Sequence, residues 1–333
     1  VSACEKGQRW AMAVELLRAI RRSELRLTAI SYNAAISACH KAGHWPGALA
    51  LLQELLTSGL QPTVISYNAS ISACERVGRW QDGHFLLAEM RAHGLLPDTY
   101  SWNAVISACG VAACWQEAVD LFCGMRSSRL TPDVVSHNAA IGACGAAAAW
   151  DWAVSLLTVL RRGHGRADNI SYNSTAHACA SARYSQQALA LLEEAWRSTL
   201  EASIISCNVA LTACERGQLW ERALVILGQV TQQDVQPSVV SFNACISACA
   251  RGHQWAWAVW LLSGVCRHSL QADALGHNAA MTACERAVRW EMILNLLATM
   301  HDGVLTPDAV TRRVVLKGLG SAGQVSRAQA LLR

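Results

Sequence analysis

One asparagine recurs every 35 residues without insertion or deletion, at Asn33, Asn68, Asn103, Asn138, Asn173, Asn208, Asn243 and Asn278. A fixed short period means that each copy buries its apolar face against its neighbours, so the chain is expected to form a solenoid rather than a globule. The same lattice carries Cys39 through Cys284 and, with Ser185 as the exception, a tryptophan from Trp10 to Trp290. Eight full units follow, at 29–63, 64–98, 99–133, 134–168, 169–203, 204–238, 239–273 and 274–308. Partial units at 1–28 and 309–333 flank them within one expected solenoid domain, 1–333. The last keeps Ala328, Leu331 and Leu332 and reads as a diverged terminal repeat.

Within the unit Val64–Asp98, Tyr67, Ile71 and Cys74 are spaced as the apolar stripe of an amphipathic helix, helix A, with Ser66 as its expected N-cap. Gly78 breaks that helix. Trp80, Gly83, Leu87 and Met90 then mark a second one, helix B, in which the tryptophan is expected to be the main core residue. A Gly-x-x-Pro turn such as Gly94–Pro97 closes the unit, with Ala167, Ala202 and Ala272 replacing proline in three copies. No strand pattern competes, so the expected class is all-α, an αα-superhelix of about nine helix-turn-helix repeats.

The chain is 52% hydrophobic, yet charged residues or His interrupt every candidate span before about 18 residues. No transmembrane helix is expected. Of the 14 cysteines, nine (Cys4 included) share one position in stacked units, where helix axes run about 8–10 Å apart. That exceeds disulfide reach of about 7 Å, so these read as reduced core thiols. The pair His177-x-Cys179 lacks partners at ligand spacing, and no metal or cofactor is expected. Neither a phosphate-binding glycine loop nor the H-x-E with C-x-x-C signature of zinc deaminases is present, so no catalytic residue is assigned.

Asn68, Ser72 and Glu75 share a polar face of helix A. Two accounts of the asparagine stand open: a local hydrogen bond to the turn, or an amide offered to a base edge. Thirty residues after each asparagine come Thr63, Asp98, Asp133, Asp168, Ser203, Ser238, Asp273 and Asp308. Turn chemistry explains such residues, and so does a one-base-per-repeat reader. Cations recur just past helix A at Lys6, Lys41, Arg76, Arg216, Arg251 and Arg286, suited to phosphate contact or to plain solvation; Val111, Ala146 and Ser181 interrupt them. The net charge of +4 is too small to select nucleic acid by itself.

The 35-residue period, the S-Y-N-A-x-I-S-A-C opening, the W-x-x-A-x-x-L-L of helix B and the G-L-x-P-D ending resemble the pentatricopeptide repeat family, with an I-S-A-C-E-R variant similar to algal and dinoflagellate members. The resemblance implies single-stranded RNA binding in a chloroplast or mitochondrion, with each base read by the fifth and last residues of a unit. Asn with Asp would favour U, at Asn68/Asp98, Asn103/Asp133, Asn138/Asp168, Asn243/Asp273 and Asn278/Asp308. Asn with Ser would favour C, at Asn173/Ser203 and Asn208/Ser238, and Asn33/Thr63 would take a pyrimidine. Ile30, Ile65, Tyr100, Val135, Ile170, Ile205, Val240 and Leu275 would wedge between bases. The implied target is 5′-YUUUCCUU-3′. The competing expectation is a protein-interaction scaffold that holds a peptide on the helix A face.

Overall fold

The computed structural model describes residues 9–22, 27–163, 166–198, 202–232, 236–267, 270–302 and 305–321. Cys4, Lys6, Ala328, Leu331 and Leu332 lie outside them. The described residues form helices only: α1 (Trp10–Arg22), α2 (Ala29–Lys41), α3 (Trp45–Thr57), α4 (Val64–Glu75), α5 (Trp80–Ala92), α6 (Thr99–Val111), α7 (Trp115–Ser127), α8 (Val134–Ala146) and α9 (Trp150–Arg162). There follow α10 (Asn169–Ser181), α11 (Ser185–Arg197), α12 (Ile204–Gly217), α13 (Trp220–Gln232), α14 (Val239–Arg251), α15 (Trp255–Arg267), α16 (Ala274–Arg286), α17 (Trp290–Asp302) and α18 (Ala309–Ser321). Even-numbered helices are helix A and odd-numbered ones helix B. None is long and apolar enough to cross a membrane.

The chain divides into two compact units, Val1–Ala178 and Cys179–Arg333. In the first, α2, α4, α6 and α8 pack one on the next, and each of α3, α5 and α7 fills the angle between two of them. The second repeats the arrangement with α12, α14, α16 and α18 as the continuous row and α13, α15 and α17 against it. Successive B helices stand farther apart and meet through long side chains, as where Arg21 pairs with Glu54 at 2.8 Å and the Trp115 and Trp152 rings lie 6.0 Å apart. The close backbone packing between repeats is carried by helix A, and helix B covers the apolar side of its own and the following A helix.

The core follows the apolar stripes. Tyr67, Ile71 and Cys74 of α4 and Leu87 and Met90 of α5 are buried, as are their counterparts in the other complete repeats. Helix A thiols are free, and burial pushes those of Cys39, Cys74, Cys144, Cys179, Cys249 and Cys284 up to about 11. They stay protonated at neutral pH and pack as small apolar groups.

In most units an aromatic ring on helix A fills the middle, and it faces the helix B residue 22 positions later. The Glu54 carboxylate meets the Tyr32 hydroxyl, and burial with Glu89 beside it pushes the Tyr67 phenol up to about 12. For Trp102 and Phe242 the facing residue is glycine. Gly124 lies against the Trp102 ring and Gly264 against the Phe242 ring.

The tryptophans that open helix B are a correction to the sequence reading. They are half-buried rather than core, because the first residue of a helix sits at the rim of the stack. Their indoles reach instead to the next repeat. Trp10 stacks on His44 at 3.9 Å, the Arg79 guanidinium lies 3.9 Å from the Trp45 ring, and that of Arg289 lies 5.0 Å from Trp255. Trp220 packs against bare Gly252. Arg79 is also paired with Asp82.

Between helices A and B one residue per repeat takes the left-handed conformation. Glycine fills it at Gly43 and Gly78, but Ala113, Ala148, Arg183, Gln218, His253 and Val288 occupy it elsewhere at φ 55 to 68°. A β-branched residue there is the costliest, at about 1–2 kcal/mol relative to glycine before the entropy of the unfolded chain is counted. Val288→Gly is therefore expected to raise stability by about 1 kcal/mol, read as a higher midpoint in urea unfolding.

Candidate nucleic-acid interface

Helix A begins three residues earlier than its serine suggests. Thr63, Asp98, Asp133, Ser203 and Ser238 are the N-caps, and Ser66, Ser101, Ser136, Ser206 and Ser241 are the third residues of reciprocal capping boxes. In α6 the Asp98 carboxylate accepts from the Ser101 amide at 2.8 Å, while the Ser101 hydroxyl accepts from the Asp98 amide at 3.3 Å. Asp168, Asp273 and Asp308 accept likewise from Ser171, Gly276 and Thr311. Ser66 is thus corrected from N-cap to third helical residue, and the asparagine moves into the second turn.

That shift brings the asparagine of one repeat onto the cap of the next. Asn68 Nδ2 donates to both Asp98 oxygens at 3.2 Å, and the Ser101 hydroxyl donates to Asn68 Oδ1 at 2.5 Å. Asn138 is held by Asp168 at 3.1 Å and Ser171 at 2.6 Å, and Asn278 by Asp308 at 3.1 Å and Thr311 at 2.7 Å. Asn33 pairs with Thr63 at 3.3 Å and Ser66 at 2.6 Å. Asn208 accepts from Ser241 at 2.6 Å.

Two repeats depart. Gly276 replaces the hydroxyl, so Asn243 keeps only the Asp273 contacts, both 3.0 Å. Asn103 donates to Asp133 at 3.4 Å, but the Ser136 hydroxyl turns to Asp133 and leaves Asn103 Oδ1 buried without a partner. Asn173 stands half-buried on α10, and Ser203 caps α12.

The caps are acidic where they are Asp. Burial pushes the Asp98 carboxyl up, but the bonds from Ser101 and Asn68 outweigh it, and the net shift is downward; Asp133 behaves alike through Ser136 and Asn103. The bond from the Thr311 amide leads the downward shift of Asp308.

Beside this row stands an apolar one that no core contact explains. Ile30, Ile65, Tyr100, Val135, Ile170, Ile205, Val240 and Leu275 occupy the second helical position and are 56 to 76% exposed. Tyr100 leans back onto the preceding repeat, where its hydroxyl meets the Ser72 hydroxyl at 2.9 Å. Ser72, read from sequence as part of an open polar face, is consequently buried.

The cations lie at the other end of helix A, about 12 Å along the axis from the asparagines. Arg76 donates to the carbonyls of His40 and Lys41 at 3.2 and 2.8 Å, and Arg286 to that of Ala250 at 3.2 Å, each capping the preceding A helix. Arg251 pairs with Glu215 at 3.1 Å. Lys41 and Arg216 occupy equivalent helix ends and are exposed. Positive charge against the negative end of a helix dipole is a structural role that the sequence reading did not foresee. No group of three metal-ligating side chains occurs among the described residues.

Such an array, helical hairpins of constant length with one amide, one cap and one exposed aliphatic per unit, defines an αα-repeat protein. Profiles described as "PPR repeat family" match residues 62–110 and 97–146, and "Pentatricopeptide repeat domain" matches 15–76 and 190–251. The chain belongs to the pentatricopeptide repeat family. The crystal structure of the pentatricopeptide repeat protein PPR10 in complex with an 18-nt psaJ RNA element is similar at a TM-score of 0.67 and 16% identity, over 99% of this chain and 53% of that one. The structure of PPR10 from maize is similar at 0.52 and 17%, over 98% and 56%. The chain therefore spans about half the length of these solved relatives. No curated protein sequence matches it.

Two outcomes follow from the cap network. Ser101→Ala loses one arm of a capping box and the bond to Asn68, and is expected to cost about 1–2 kcal/mol in urea unfolding. Because the folded values of Asp98 and Asp133 lie below the ordinary 3.8, their contribution is complete above that value and is lost as pH falls through the folded ones. Unfolding midpoints should accordingly drop below about pH 4, and the drop should shrink in Asp98→Asn/Asp133→Asn.

Proposed function

We propose that the chain binds single-stranded RNA, one base per repeat, and that it acts as a binder rather than a catalyst on organellar transcripts. The observation that carries this reading is the row of eight aliphatic or aromatic side chains exposed beside eight amides. Burial would stabilise each by about 1.5–3 kcal/mol, yet the fold leaves them in solvent at a constant spacing, as a surface that bases would cover.

The cap positions support the reading through what capping does not decide. Asp, Ser and Thr all cap well, so the choice among them from repeat to repeat is free to carry information. With its oxygen turned to the next repeat's hydroxyl, the amide of Asn68 or Asn138 offers nitrogen, next to a carboxylate. A donor beside an acceptor complements uracil, whose carbonyl oxygens flank the N3 hydrogen. Cytosine has a lone pair at N3, which a carboxylate repels and a serine hydroxyl can satisfy, as at Ser238 beside Asn208. The preferred strand in this reading is 5′-YUUUCCUU-3′, with the amino-terminal repeat at the 5′ end.

Fluorescence anisotropy with 5′-UUUUCCUU-3′ and its purine-substituted counterpart at two salt concentrations tests the proposal. The pyrimidine strand is expected to bind more tightly, and Ser238→Asp is expected to move the preference at its nucleotide from C to U. The log–log salt slope should be shallower than the −4 or so of six phosphate contacts, because Arg76, Arg251 and Arg286 are already engaged within the protein. Equal or negligible binding to both strands would overturn the reading in favour of a peptide held on the same face.

A further inference from the structure

Away from the asparagine row, one stretch of helix B carries apolar surface that the fold does not use. Trp257 and Trp260 of α15 are 42% and 52% exposed, with their rings 5.6 Å apart and edge to face. The neighbouring repeats hold Arg222 and Val225, and Met292 and Asn295, at the same positions, so the hairpin does not require tryptophan there. Beside this ridge a slot of about 550 Å³ runs between α13 and α15, floored by Phe242 of α14. Two bare glycines keep it open. A Cβ added at Gly228 would meet nothing within 4 Å, and one at Gly264 only the Phe242 ring at 3.8 Å. Exposed tryptophan next to an empty apolar slot marks a contact surface.

We propose that this face of helix B joins two copies of the chain in an antiparallel, two-fold dimer, with Trp260 of each copy in the slot of the other. Ridge and slot lie on one face, which is what a self-complementary contact needs. α13 and α15 are equivalent helices of successive repeats, so residues 35 apart stand at one level. An axis crossing them at the level of Leu227 and Leu262 exchanges Trp260 with Gly264, and each indole then covers bare glycine. The same axis carries Arg267 to the level of Trp257 and Arg222, one residue from Glu221. Glu221 shares the slot-facing stripe of α13 with Leu224 and Gly228, and Arg267 shares that of α15 with Trp260 and Gly264. Within one copy the Arg267 guanidinium lies 5.3 Å from the Trp260 ring and donates to the Ser263 hydroxyl at 3.3 Å. Arg222 is already engaged with Glu193 at 3.7 Å; among the described residues neither Arg267 nor Glu221 has an ion-pair partner. The dimer supplies each with the other. Because the contact uses helix B alone, it stands independently of the RNA-binding reading.

Sedimentation velocity of the chain from about 1 to 100 μM is expected to show monomer passing into dimer. Trp260→Ser should weaken the dimer about thirtyfold or more, since both copies lose their anchor. Gly228→Leu, whose side chain enters open space in its own chain, should block the slot and weaken the dimer comparably, with a thermal midpoint unchanged or raised. Glu221→Arg and Arg267→Glu should each weaken it about tenfold, and the two together should restore it.

A chain that stays monomeric at about 100 μM refutes the pairing and leaves the face to a different protein. A dimer indifferent to Trp260→Ser and Gly228→Leu refutes it as well, because the contact then lies elsewhere. Failure of the double charge exchange to restore the dimer refutes the antiparallel register.

Discussion

At Asn33, Asn68, Asn138 and Asn278 the next A helix is fastened to the one before it by a hydroxyl and a cap residue closing on a single asparagine amide, and the register of those repeats depends on that bond. Apolar stripes of Tyr, Ile, Ala and Cys would tolerate sliding by small amounts, because dispersion is non-directional. A hydroxyl donating to Asn68 Oδ1 at 2.5 Å while Nδ2 reaches Asp98 does not. The asparagine is therefore bonded to the following repeat rather than locally to its own first turn, and the same bonds fix how its amide is oriented. In the proposed reading, capping and recognition share atoms rather than compete for them.

Most of the architecture was legible because the period is strict. The two helices, their buried stripes and the core thiols all appear at the positions that spacing indicated. The tryptophan misled because amphipathic spacing identifies a face but not how far along the helix a residue lies. Trp80 shares a stripe with Leu87 and Met90, yet it is the first residue of α5 and stands at the rim. Ser66 misled for a related reason. In a capping box both partners are good capping residues, and only the backbone distinguishes Thr63 from Ser66 as the true cap.

The candidate site was legible as residues but not as connections. The asparagine and the last residue of the unit were singled out from sequence, and both lie in the same row. That each asparagine binds the cap of the following helix could not be read from one unit alone, because the contact crosses a repeat boundary. The arginines past helix A were assigned alternatives of phosphate or solvent. Arg76 and Arg286 take a third course, on the carbonyls of the preceding helix, a geometry that requires neighbouring helices to be placed first.

The rings of helix A and the helix B residues that face them bear on how such a chain can grow. Gly124 faces the Trp102 ring and Gly264 the Phe242 ring, so a helix A joined to the helix B of another copy changes what covers the ring. The bonds that cross between repeats, by contrast, reuse an asparagine with a hydroxyl or cap residue at most junctions. A gene that copies or exchanges whole 35-residue units keeps the pairing within each hairpin, whereas a crossover inside a unit changes it. The unit of descent in this protein should be the hairpin, with recombination points confined to the turns between repeats.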